Sequence, residues 1–181
     1  MPRIAPVQTS DASPAQAEIL AAVQKKMGMV PNLLSTLAAA PAAATAYLGF
    51  SQALSSGQLT ARLREQIALV VAETNDCGYC LAAHTAIGKS VGLDGDTIAS
   101  ARQAQAADPK EAAALELARK IVVERGRLTD TDLEPVRDAG YTDGDIAEIV
   151  ANVALNLFTN YFNHVADTEV DFPEAPKLSV A

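Results

Sequence analysis

The chain has 181 residues, a formal net charge of −8 at pH 7 and a pI near 4.7, with 49% hydrophobic residues but only 4% aromatic ones. Its length suits one domain with a substantial buried core, and its many alanines with no tryptophan favour packed helices over sheets. The acidic balance argues against a nucleic-acid surface, and no apolar run reaches the ~18–20 residues of a membrane span. The amino terminus lacks the apolar stretch of a signal peptide, so a soluble, cytoplasmic protein is expected.

Residues 1–13 read as an extended amino-terminal arm. Pro14 fits the first position of a helix running to about Lys26, with Ile19, Leu20 and Val23 on one face and Gly28 as its stop. Val30-Pro31-Asn32 opens a short helix carrying Leu33, Leu34 and Leu37, and Pro41 starts a third that reaches about Leu54. Thr60 is a good N-cap for a helix over 61–74, whose Leu63, Ile67, Val70 and Val71 form an apolar stripe. Asn75-Asp76 and Gly78 mark a break, after which a helix begins near Cys77 and runs to about Val91, stopped by Gly92.

A short helix over 94–103 comes next, and Asp108-Pro109 opens another to about Arg125. Thr129-Asp130 caps a short helix to about Ala139, and Thr142 caps a long last one to about Asp167. The main domain is thus expected over 14–170, and the tail over 171–181 to be extended, since two prolines interrupt it. No period-2 pattern stands out, so the fold class is all-α, a single-domain bundle of eight or nine helices.

Both cysteines of the chain and one of its two histidines fall in Cys77-Gly-Tyr-Cys80-Leu-Ala-Ala-His84. On a helix these three side chains lie within an arc of roughly 60°. A separation of three residues puts the two Cα atoms about 5 Å apart, inside the range a disulfide tolerates. The pair can therefore close and reopen without unfolding its helix. Cysteines in a first helical turn meet unpaired N–H groups and the positive end of the helix dipole, which favour a thiolate.

A peroxide-cleaving thiol needs a thiolate, a proton-handling partner and a second thiol to resolve the sulfenic acid, and Cys80, His84 and Cys77 match those needs. A carboxylate would orient the imidazole. Glu65 is the first candidate and Glu73 the second.

These residues resemble the alkylhydroperoxidase D-like branch of the carboxymuconolactone decarboxylase superfamily. The matching pattern is Glu65, eleven residues, then Cys77-x-x-Cys80-x-x-x-His84, preceded by Leu63-Arg-Glu-Gln-Ile-Ala-Leu and followed by Thr85-Ala-Ile-Gly, with the core of the match over 45–100. Gly28-Met-Val-Pro-Asn and Phe158-Thr-Asn-Tyr-Phe-Asn-His164 through Asp171-Phe-Pro look similar to its peroxidase-related subgroup. The resemblance implies an all-α fold, commonly a homo-oligomer, and a thiol-dependent hydroperoxide reductase that needs no cofactor or metal. Its partners would be a small hydroperoxide and an external dithiol reductant. Cys80 would then attack the peroxide, Cys77 resolve it, and Glu65 and His84 relay the proton. Tyr79 stands where the best-studied members carry another histidine; a phenol with a pKa near 10 is a poor base, so the relay would be shorter or borrow His164.

Other readings stand beside this one. The cysteine pair could serve a disulfide reductase or redox-sensing adaptor, the superfamily also includes lactone decarboxylases, and the cysteines could be inert in a non-enzymatic helical oligomer. A structural zinc site would want four ligands, with only His164 or a carboxylate to complete the set. Tyr79 suits packing or a substrate pocket, and His164 suits either a core position or a place behind the reacting groups. Asn156, Asn160 and Asn163 recur at spacings of four and three, a polar stripe that would hydrogen-bond within the core or line a site at a subunit boundary.

Overall fold

The computed structural model describes residues 1–178, and among them nine helices and no strand. They are α1 (Pro14–Met27), α2 (Asn32–Leu37), α3 (Pro41–Ser55), α4 (Ala61–Thr74), α5 (Gly78–Ser90), α6 (Gly95–Arg102), α7 (Pro109–Val123), α8 (Asp130–Asp138) and α9 (Asp143–Ala166). Local chemistry sets most of the ends. Ser13 and Gln16 form a capping box at the start of α1, and Gly28, at φ 77°, closes it in the left-handed region that glycine enters without strain. Thr60 caps α4 through the Leu63 N–H, and Thr142 with Asp145 makes the capping box of α9.

The helix ends fall within one residue of the sequence reading except at α7. α7 stops at Val123, two residues short of the expected Arg125, because Arg125 and Gly126 both turn left-handed, at φ 55° and 74°. The helix expected to begin near Cys77 has Cys77 as its N-cap and Gly78 as its first residue.

α4 is the hub. It packs against α5, α6, α7 and α9, and Ile67, Leu69, Val70 and Val71 are fully buried. With Leu115 and Leu117 of α7 and Ile149 and Val153 of α9 they form the main core. Burying one such aliphatic side chain contributes about 1.5–3 kcal/mol. A second, smaller cluster gathers Leu33, Ala72, Cys77, Tyr79, Cys80 and Leu81, with Phe162 and Phe172 packed against it. The cysteines thus sit in an apolar layer between α2, α5, α9 and the carboxy-terminal tail.

Both ends of the described chain fasten to this layer. Arg3 and Ile4 donate backbone N–H groups to Ala166 O. α2 has no side-chain cap of its own, because Pro31 precedes it; Asp171 supplies one instead, its Oδ2 accepting from Asn32 N–H at 2.7 Å. No described helix is long and apolar enough to cross a membrane.

Candidate active site

The turn from α4 into α5 places the cysteines. Asp76 takes a left-handed conformation, φ 55°, which Asp tolerates better than most residues. Its N–H bonds to Glu73 O and the Cys77 N–H to Ala72 O, closing α4 in a Schellman motif. Cys77 O then accepts from Leu81 N–H, the first bond of α5. Cys77 is thereby the last residue of one helix ending and the cap of the next, which fixes its side chain between two rigid elements.

Cys77 and Cys80 are buried free thiols, and their sulfurs are 2.7 Å apart, longer than the ~2.05 Å of a disulfide bond. At this distance the two sulfurs are hydrogen-bonded, with one thiol proton between them. The hydrogen bond from Cys80 brings the Cys77 thiol down to about 7 against the opposing effect of burial, with help from the Cys80 backbone amide. Cys80 is pushed up, first by the proton it shares with Cys77 and then by burial, while Asn163 and Asn160 act in the other direction. The pair titrates as a unit, losing its first proton near neutrality and its second far above.

His84 lies one turn beyond Cys80 on α5, and its Nδ1 is 2.8 Å from Glu65 Oε2 of α4. Burial disfavours the imidazolium, but the adjacent Glu65 carboxylate outweighs it, so the His84 pKa is raised. Cys80 and His84 line one small cavity of about 60 Å³ with Tyr47, Tyr79 and Phe172. Cys77 instead borders a polar groove of about 400 Å³ that also takes in Arg3, Asp76, His164 and Asp167. Tyr79 lines both, and each is bordered by a different one of the two cysteines.

The other expected site residues have separate places. Glu73 pairs with Arg102, Nε to Oε2 at 2.7 Å, and is not the partner of His84. Tyr79 is buried; its hydroxyl accepts from Leu33 N–H at 3.0 Å, and its ring meets Phe172 edge-on at 5.9 Å. Burial raises its phenol well above the ordinary value, so it supplies no base. His164 is exposed on the groove, its backbone O accepting from Arg3 Nη1 at 2.7 Å. Among the described residues, no group of three or more His, Cys, Asp or Glu side chains could hold a metal ion.

Three participants lie outside the motif. Tyr47, from α3, is held protonated up to about 12 by burial and by the nearby Glu65 and Cys80 charges. Phe172, from the tail, closes one wall of the small cavity. Asn163, from α9, donates Nδ2 to Cys80 Sγ at 3.2 Å. The periodic asparagines were a usable signal for the last; Tyr47 and Phe172 reach the cavity from segments with no local mark of it.

Fold and site together define an all-helical protein that carries a closely held thiol pair beside a buried histidine–carboxylate pair. Residues 41–120 match the model of the carboxymuconolactone decarboxylase family. A structure of an alkylhydroperoxidase AhpD core, an uncharacterized peroxidase-related protein from Ralstonia eutropha JMP134, superposes with a TM-score of 0.84 at 26% identity, covering 94% of this chain and 92% of that one. An uncharacterized peroxidase-related protein from Silicibacter sp. TM1040 gives 0.80 at 25% identity, covering 92% of each chain. The debrominase Bmp8, as a C82A variant in complex with 2,3,4-tribromopyrrole, shares the fold with a TM-score of 0.79 at 22% identity, covering 93% and 91%. No curated protein matches the chain in sequence. The family match over 41–120 and the two peroxidase-related neighbours together support a likeness to the alkylhydroperoxidase D-like and carboxymuconolactone decarboxylase superfamily.

Proposed function

We propose that the protein is a thiol-dependent hydroperoxide reductase. The observation that carries this reading is the cavity shared by Cys80 and His84, with Cys77 Sγ at 2.7 Å from Cys80 Sγ and Glu65 at 2.8 Å from His84. With the shared proton on Cys77, the negative charge sits on Cys80. That thiolate attacks one peroxide oxygen of ROOH and the O–O bond breaks. His84 protonates the departing RO⁻ to ROH, and Cys80 becomes a sulfenic acid. Cys77 then attacks the sulfenyl sulfur; its proton and the hydroxyl leave as water, and the disulfide forms. An external dithiol restores both thiols and is itself oxidised to a disulfide. The peroxidase-related neighbours support this class of chemistry.

The two openings give each step its own side. A hydroperoxide would reach Cys80 through the small, largely apolar cavity, and the reductant would reach Cys77 through the polar groove. Exposed Val150, Phe158, Tyr161 and Val165 along α9 suit the homo-oligomer that this reading includes. The test is hydroperoxide consumption with a dithiol present: turnover by the wild type and none by Cys80→Ser supports the reading, and equally slow consumption by both defeats it.

A second reading has its own observation. The Cys77 thiol, held near 7 beside an open groove, suits disulfide exchange with a partner protein, with peroxide incidental. Trapping a mixed disulfide on Cys80→Ser in a protein that consumes no peroxide would favour it.

A further inference from the structure

The site contains a conflict that the thiol pair alone does not resolve. Cys77 caps α5, where the helix dipole and the backbone amide of Cys80 favour a negative charge, yet the proposed chemistry needs that charge on Cys80. On the other side of Cys80, α9 presents two buried amides. Asn163 is 4% exposed and donates Nδ2 to Cys80 Sγ at 3.2 Å, while its Oδ1 has no partner. Asn160 is fully buried; its Oδ1 accepts from Asn75 Nδ2 at 3.0 Å, which fixes the amide, while its Nδ2 has no partner, and the side chain acts to favour the charged form of Cys80. Buried donors and acceptors are rarely left unsatisfied. Here one of each is left, on Asn160 and on Asn163.

We propose that Asn160 and Asn163 form a cradle that places the thiolate on Cys80 and then holds the oxygen Cys80 acquires. A sulfenic acid hydroxyl is one acceptor and one donor. The free Asn160 Nδ2 would donate to its oxygen, and the free Asn163 Oδ1 would accept its proton, so oxidation of Cys80 satisfies both orphaned groups. Asn75 acts one step back as a positioning residue, since it also bonds to Val71 O and so ties the Asn160 amide to the end of α4. The cradle rests on the peroxidatic role of Cys80 proposed above, but its first half concerns thiol ionisation and needs no peroxide.

The experiment uses the full chain in a Cys77→Ser background, so that one thiol is read. Thiolate absorbance is followed against pH, with the double variant Cys77→Ser/Cys80→Ser as blank and helical circular dichroism as the check on folding. Adding Asn163→Ala should leave about tenfold less Cys80 thiolate at neutral pH, the size expected for one hydrogen bond to a charged group. Asn160→Ala should act in the same direction, and Asn163→Ser, which keeps a donor, should recover part of the loss. If Asn163→Ala does not fold, Asn160→Ala measures the same quantity. After one equivalent of hydroperoxide, the asparagine variants should retain about tenfold less trappable sulfenic acid. An unchanged Cys80 titration and sulfenic acid yield would overturn the cradle, even in an enzyme that turns over peroxide. A shifted titration in a protein that ignores peroxide would keep the thiolate half and defeat the peroxidase reading.

Discussion

Glu65 Oε2 stands 2.8 Å from His84 Nδ1, joining α4 to α5 at the edge of the cavity that Cys80 lines, with both side chains less than one-fifth exposed. A contact this short and this shielded orients the imidazole as well as raising its pKa.

Glu65→Gln should therefore lower the His84 pKa, leaving burial as the main influence. The His84 pKa is raised in the fold, so its ion pair stabilises the protein fully below the unfolded value of ~6.5, and that contribution disappears as pH rises through the folded value. The variant should lose most thermal stability on the acid side of this window and least above it, while peroxide turnover falls about 10- to 100-fold. A histidine titration by NMR, melting curves across pH and steady-state rates measure all three. An unchanged His84 titration would show that the carboxylate does not control the ring.

Tyr79→Phe removes the acceptor of Leu33 N–H and leaves that buried donor unsatisfied. The expected cost is about 1–3 kcal/mol, or a fall in Tm of about 2–4 °C for each kcal/mol. Cys80→Ser/Tyr79→Phe should lose the same amount, because the bond serves α2 and not the thiols. Tyr79→His should also lose stability without raising peroxide turnover, since an imidazole at this place would meet the Leu33 backbone and Phe172 in place of a reacting oxygen.

Arg102 bonds to Glu73 at 2.7 Å and to Pro176 O at 2.5 Å, linking α6, α4 and the tail. Arg102→Ala should cost about 1–3 kcal/mol, less than a wholly buried pair because the Glu73 side chain is 30% exposed. It should also make the segment after Asp171 the first site of limited proteolysis. Tail cleavage at the wild-type rate would contradict the tether.

Most of the architecture was legible because its determinants are local. Proline at first helical positions, Thr and Asp caps, a glycine stop and the stripe of Leu63, Ile67, Val70 and Val71 act within a turn or two of themselves. The spacing of Cys77, Cys80 and His84 was readable for the same reason. What the spacing could not carry is what crosses between elements. The choice of Glu65 over Glu73 as the histidine's partner depends on how α4 rotates against α5 and on Arg102 reaching Glu73 from α6. The function of Tyr79 as the acceptor for α2 depends on the missing cap at Pro31, and the placing of His164 on the Cys77 groove depends on where α9 ends. Tyr47 and Phe172 enter from α3 and the tail, so no pattern within the motif announces them.

The central claim is that Cys80 takes the peroxide oxygen and Cys77 resolves it. Intact-protein mass spectrometry after one equivalent of hydroperoxide, without reductant, tests it most directly. The wild type should lose two hydrogens as the disulfide forms, Cys77→Ser should gain one oxygen on Cys80, and Cys80→Ser should remain unmodified. Oxygen appearing on Cys77 in Cys80→Ser, with Cys77→Ser left unchanged, would contradict the account and reverse the roles of the two sulfurs.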